Sequence, residues 1–241
     1  MKTKQQIIET IGNCHVPYVD SFHLNGVNYG RSLFNLDWIQ FLIESPKIIF
    51  DIGCYDGGDS IRFKQGFPIS EVYSFEASPT RINMLKNTSA QYGINVVEKA
   101  VCEYDGTIDF YESLIDRTRV DAQGSIFKHT DFYKNKYPQV FQNSEHVEVP
   151  CTTIESFCLH NNIEEIDFAH IDVEGAELNV IKGFGKFLPK MVFIETLGDE
   201  MFHGGTKKED VHDLLLSYGY FLAKDLTTDR LYILETIVTN D

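Results

Sequence analysis

The chain has 241 residues, 43% of them hydrophobic and 24% charged, which excludes a disordered polymer and a disulfide-stapled miniprotein. Thirty-six acidic against 21 basic side chains leave a net charge of −15, so the mean surface potential repels polyphosphates and anionic lipid headgroups, and neither nucleic acid nor membrane is expected as a partner. No stretch is apolar enough to span a bilayer, the N-terminus MKTKQQIIET has no long apolar run, and a cytoplasmic protein is the expectation. The five cysteines, Cys14, Cys54, Cys102, Cys151 and Cys158, are scattered without a C-x-x-C pair and read as small buried hydrophobes.

Residues 1–46 carry one helical pattern, Phe34–Ile43, and read as an N-terminal helical extension or lid ahead of a domain spanning 47–241. From Lys47 onward short apolar runs alternate with amphipathic stretches, the pattern of parallel strands joined by crossover helices. Strands are predicted at Lys47–Ile52, Glu71–Glu76, Ile94–Val101, Asp167–Asp172 and Met191–Glu195. Helices are predicted at Asp59–Gln65, Pro79–Tyr92 (with Ser78 as N-cap and Gly93 as stop), Thr152–His160, Ala176–Phe184 and Lys207–Tyr218. Tyr220–Asp225 and Arg230–Glu235 are joined by a turn too short for a crossover, so the final strand is predicted to run antiparallel. The fold class is therefore α/β: a Rossmann-like, seven-stranded, mostly parallel sheet with helices on both faces.

Ser113–His146 interrupts this rhythm with polar and aromatic residues of no clear period and reads as an insertion. Its charges, Arg117, Arg119, Lys128, Lys134 and Lys136 against Asp116, Asp121, Asp131 and Glu145, nearly balance in a strongly acidic chain. A substrate-facing surface and a passive solvated insertion both account for that.

The first predicted strand runs into Asp51-Ile52-Gly53-Cys54-Tyr55-Asp56-Gly57-Gly58-Asp59-Ser60 and then a helix, a place where backbone amides meet ligands. The G-x-x-x-G-G spacing departs from the dinucleotide G-x-G-x-x-G, and three aspartates with no Lys or Arg before Arg62 disfavour a pyrophosphate. A cation without phosphate suits the loop better, and S-adenosylmethionine carries a sulfonium and an ammonium. Glu76 ends the second predicted strand, where an acidic side chain accepts hydrogen bonds from ribose hydroxyls.

Four stretches together resemble the class I S-adenosylmethionine-dependent methyltransferases, specifically the FkbM type: FDIGCYDGGDS at 50–60, VYSFEASPTRINMLKNTSAQYG at 72–93, KAVCEYDGTIDFYES at 99–113 and IDFAHIDVEGAELNVIKGFGKFLPKMVFIE at 166–195. The resemblance implies methyl transfer from S-adenosylmethionine to a hydroxyl of a sugar, nucleotide sugar or other small molecule. It places Asp51, Gly53 and Gly57 at the methionine end of the cofactor, Glu76 at the ribose, Ala100 at the adenine and Asp172 facing the methyl group. Ser60 and Ala77, in the same two turns, and Ser125, in a Ser-containing stretch similar to one in many members, complete the candidate cofactor contacts. Two departures stand out: Ala77 where the family usually has proline, and His170 where it usually has lysine.

An alcohol attacking a methyl group needs alignment first and then a base or a metal. Asp172 and Glu174 end the fourth predicted strand and Glu195 the fifth, which places three carboxylates around one crevice. Asp172, Glu195 and, from the loop Thr196–Thr206, His203 are the candidate catalytic residues, while Glu174 and Glu177 alternatively suit the start of a helix near Ala176. A divalent metal held by neighbouring strand-end carboxylates is the less favoured route. A nicotinamide-dependent oxidoreductase and a non-catalytic binding module of the same fold are the alternatives, and a homo-oligomer stays open.

Overall fold

The computed structural model describes residues 2–13, 21–24, 27–30, 32–115, 119–143 and 145–239; Cys14, Asp116, Arg117 and the side chain of Arg119 lie outside them. The central sheet has seven strands: β1 (Ile48–Ile52), β2 (Glu71–Phe75), β3 (Asn95–Val97), β4 (Phe168–Ile171), β5 (Met191–Glu195), β6 (Tyr220–Leu226) and β7 (Asp229–Leu234). Their spatial order is β6-β7-β5-β4-β1-β2-β3, and β7 alone runs antiparallel, wedged between β5 and β6. Eight helices are described: α1 (Lys4–Asn13), α2 (Leu36–Leu42), α3 (Gly58–Gly66), α4 (Pro79–Ser89), α5 (Asp131–Lys136), α6 (Ile154–Asn161), α7 (Glu177–Lys182) and α8 (Lys208–Ser217).

Both faces of the sheet are covered, which is why its strands read as nearly continuous apolar runs. Alternation along each strand divides the core. Phe50, Ile52, Ala169, Ile171, Val192 and Ile194 face one layer with Ile154 and Cys158 of α6, Val180 of α7 and Leu215 of α8. Ile49, Phe168, Met191 and Phe193 face the other, with Ile7 and Ile11 of α1, Trp38 and Ile39 of α2 and Phe63 of α3. Ile7, Ile11, Tyr29, Phe34, Trp38 and Ile39, all ahead of β1, thus contribute core side chains, and α1 lies against the edge strand β6.

Three local expectations are corrected. Ile94–Val101 is not one strand: Asn95–Val97 joins the main sheet, the chain turns with the Lys99 amide bonded to the Val97 carbonyl, and Ala100–Val101 enters a small sheet with Gly106–Phe110 and Val147–Thr152. Ser78 precedes α4 but its hydroxyl makes no cap; it donates to Glu112 Oε1 at 2.6 Å. The 113–146 segment holds regular structure, with strands Ser113–Ile115, Arg119–Val120 and Val140–Gln142 and helix α5. Tyr133 of α5 and Val140 pack on Met201 and Phe202 in the loop after β5. Cys54, Cys102, Cys151 and Cys158 are buried and free, as small hydrophobes should be. Among the described residues no helix is long and apolar enough to cross a membrane.

Candidate functional site

The carboxyl ends of β1, β2 and β4 open onto two adjoining clefts. One, of about 660 Å³, is lined by Gly53, Glu76, Ala77, Ala100 and Asp172 among others; the second, of about 830 Å³, is lined by Asp51, Gly58, Asp59, Arg62, His170 and Asp172. Both borders include Gly53, Tyr55, Ala122 and Asp172, so the clefts form one crevice.

The turn after β1 is tied to the end of β2, because the Gly53 and Cys54 amides both donate to the Phe75 carbonyl at 3.0 and 3.1 Å. Gly53 has φ +84°, and a Cβ there would lie 1.8 Å from the Asp172 carbonyl oxygen, so only glycine lets β1 and β4 converge at this point. Gly57, at φ +78°, precedes α3, and its Cβ would meet Leu85 at 3.0 Å. Glu76 is 8% exposed and accepts the Tyr55 amide on Oε2 at 2.9 Å and the Ser78 amide on Oε1 at 2.7 Å. Its carboxylate is thereby held at the rim of the first cleft with lone pairs still available to a ligand.

Beneath the turn a polar row crosses the sheet. Asp51 is in register with Ser74 on one side and His170 on the other, and alternation points the three toward α3. Asp51 Oδ1 receives His170 Nδ1 at 2.8 Å, and its Oδ2 accepts the Ser60 hydroxyl, which also meets that of Ser74. Ser60 is fully buried, so it fixes Asp51 from below rather than lining the crevice. Burial by itself would lower the His170 pKa, but the hydrogen bond and charge of Asp51, with Asp59 and Asp172, raise it to about 9.

At the ends of β4 and β5, carboxylate oxygens of Asp172, Glu174 and Glu195 lie within 4.8 Å of one another. Glu174 and Gly175 turn the chain through positive φ, +54° and +96°, and the Glu174 carbonyl accepts the buried Ser125 hydroxyl at 2.6 Å. Ser125 therefore braces the acidic turn from the insertion, while its neighbour Gly124 lines the crevice. His203 is exposed, lines neither cleft, and is linked to the insertion by its amide, 2.8 Å from the Lys128 carbonyl.

Residues 51–222 match the Methyltransferase FkbM domain, most of the chain and every crevice residue named above. The chain belongs to the FkbM methyltransferase family. It is 31% identical over 186 residues to the 2-O-methyltransferase NoeI of Sinorhizobium fredii strain NGR234, covering 75% of this chain and 76% of that one. Among solved structures, Aeropyrum pernix fibrillarin with bound S-adenosyl-L-methionine aligns at TM-score 0.46 and 14% identity, covering 92% and 84% of the two chains. Precorrin-6y C5,15-methyltransferase of Geobacter metallireducens aligns at 0.42 and 11%, covering 81% of each.

The crevice of this FkbM methyltransferase fits S-adenosylmethionine on its own geometry. A glycine turn that tolerates no Cβ, a buried carboxylate at the end of β2 and an apolar wall from Ala77, Ala100, Val101 and Phe110 lie along one groove. The basic groups missing from the glycine loop arrive from elsewhere: Arg81 of α4 stacks over the Tyr55 ring and donates to its hydroxyl at 2.5 Å, and Lys99 borders the same cleft. These two, with Tyr55 and Glu112, lie within the stretches that carry the family resemblance, but nothing in their spacing shows that they meet at one cleft.

Burial holds protons on the acidic end. It pushes Glu76 to about 7 and Asp172 to about 6, although the His170 charge and a hydrogen bond from Glu195 pull Asp172 back. Burial and the neighbouring Asp172 and Asp229 raise Glu195 to about 9, while burial, Asp172 and Glu195 push Glu174 well above the ordinary glutamate value. Of the three clustered carboxyls, Asp172 is thus the one whose proton is held least firmly.

Proposed function

We propose that this methyltransferase transfers a methyl group to a hydroxyl of a sugar, nucleotide sugar or similar small molecule. The observation that carries the reading is the convergence of Asp172, Glu174 and Glu195 near the glycine turn, since an alcohol is a weak acid whose attack is helped by a carboxylate placed to accept its proton. The 2-O-methyltransferase relative supports oxygen as the acceptor atom.

Bound in the crevice, S-adenosylmethionine supplies a methyl group already activated by its sulfonium. Glu76 accepts the ribose hydroxyls; Ala77 and Ala100 flank the adenine; Gly53, Gly57 and Asp51 receive the methionine end, with Ser60 and His170 holding Asp51 in place. Asp172, on the border of both clefts, faces the methyl group and takes the acceptor's proton, and its hydrogen bond with Glu195 keeps the second carboxyl beside it. Ser125 acts through the Glu174 backbone. Alignment of acceptor oxygen, methyl carbon and sulfur supplies most of the rate, so the residues' main task is positioning.

A panel of sugars, uronic acids and nucleotide sugars, incubated with S-adenosylmethionine labelled in its methyl group, tests this. Label recovered as an O-methyl ether, and lost in Asp172→Asn, is the expected result. Tight cofactor binding with no acceptor labelled would make the protein a binding module; label on carbon or nitrogen would exclude the oxygen chemistry.

A further inference from the structure

Asp172 and Glu174 leave β4 in one turn and line the crevice, and Glu195, which ends the adjacent β5 and lines neither cleft, meets them from behind. Each offers an oxygen, and the three oxygens stand within 4.8 Å of one another. Oxygens sharing one Mg²⁺ or Ca²⁺ sit about 2.0–2.6 Å from the ion, and hence roughly 3–5 Å apart. The spacing is that of ligands around a single hard cation.

A second observation is independent of the spacing. Glu174 is only 8% exposed, its backbone is pinned by Ser125, and its Oε2 has neither solvent nor a hydrogen-bond partner. A buried carboxylate oxygen without a donor is costly, and native structures leave few. Glu177, 2% exposed, leaves its Oε2 equally unpartnered, and its charge bears on both Glu174 and Asp172. Asp229 adds a further negative charge to Asp172 and Glu195, whereas the cation among the groups acting most strongly on these two is His170, committed to Asp51. A divalent cation, taking the place of the protons that burial keeps on Glu174 and Glu195, would satisfy the orphaned oxygen through the three carboxylates that already converge on it.

We propose that Asp172, Glu174 and Glu195 bind one hard divalent cation, Mg²⁺ or Ca²⁺, through one oxygen each, and that its open positions face the crevice and receive the acceptor's hydroxyl oxygen. The cation site stands on the carboxylates alone; the acceptor contact rests on the O-methylation reading above. A hydroxyl on the cation has its proton loosened, and the second Asp172 oxygen remains to accept that proton. No bond to the metal is made or broken other than exchange of a water for the acceptor.

The test is titration of metal-stripped protein with Mn²⁺, followed by electron paramagnetic resonance and competed with Mg²⁺ and Ca²⁺. One competed Mn²⁺ per chain is expected, with affinity lowered about tenfold or more in Glu174→Gln and in Glu195→Gln. Exposed Glu209→Gln should bind like the wild type, and both cluster variants should keep a wild-type far-ultraviolet circular dichroism spectrum and a cooperative thermal transition, which shows them folded. Absence of stoichiometric Mn²⁺, or unaltered binding in both cluster variants, would overturn the site. If the cation binds but chelation leaves acceptor methylation unchanged, the acceptor contact is overturned; if the cation binds and no hydroxyl is ever methylated, the O-methylation reading fails instead.

Discussion

Glu76 shows how one side chain can serve a turn and a ligand at once: both oxygens already receive backbone amides, and burial lifts its pKa to about 7. The folded value lies above that of an unfolded glutamate, so the residue's contribution to stability declines as pH rises from about 4.5 through 7. Ligand binding has the opposite slope, because a ribose diol needs the carboxylate as acceptor. Between about pH 6 and 8 the affinity for S-adenosylmethionine should rise relative to Glu76→Gln, whose profile keeps the titrations of the cofactor and of the other crevice groups and lacks only that of Glu76. Parallel calorimetric profiles for the two proteins would refute the contact. Gly53 carries a harsher constraint, since a Cβ would overlap the Asp172 carbonyl. Gly53→Ala should cost at least about 2 kcal/mol in urea denaturation and remove cofactor binding, as the turn and the end of β4 must separate. Wild-type stability in that variant would mean the turn has slack that the structure does not show.

At the level of elements, what the sequence reveals depends on how long a periodic signal lasts. The strands β1, β2, β4 and β5 are apolar runs buried on both faces and are plain from composition. The short β6–β7 connection dictates the antiparallel pairing. Ile94–Val101 misleads because Glu98-Lys99 is a turn inside a run that otherwise looks continuous. Strands of two or three residues, as in Ser113–Ile115 and Arg119–Val120, are too brief to show a period, and α1 offers only Ile7 and Ile11 as buried positions. Nor can spacing reveal that the 113–146 segment is anchored by Phe202, far along the chain, against His129 and Tyr133 with ring centroids 5.4 and 5.7 Å apart. Phe202→Ala should destabilise the protein by about 3–5 kcal/mol and weaken acceptor turnover, with cofactor affinity nearly intact. Equal loss of both affinities would show that the insertion supports the whole crevice.

Over the whole molecule, the net charge of −15 and the doubly wound sheet select a small cofactor with cationic groups, held where strand ends diverge. The site's outline is legible in the sequence because Asp51, Gly53, Gly57 and Glu76 lie at fixed offsets from β1 and β2. Its depth is not: Ser60 lies beneath Asp51, Ser125 reaches the Glu174 carbonyl, and His203 stays exposed outside both clefts, none of which a linear spacing encodes. Glu174 reads from sequence both as a third strand-end carboxylate beside Asp172 and Glu195 and as a helix-start residue; its left-handed turn, which no spacing encodes, places its carboxylate with the other two. The central claim, that the crevice over Gly53 and Glu76 holds S-adenosylmethionine, is tested most directly by calorimetric titration at alkaline pH of the wild type and Glu76→Ala. One cofactor per chain in the wild type, and a loss of about 1–3 kcal/mol in the variant, is the predicted result; equal affinity in the two proteins, or binding of NAD in place of S-adenosylmethionine, would contradict it.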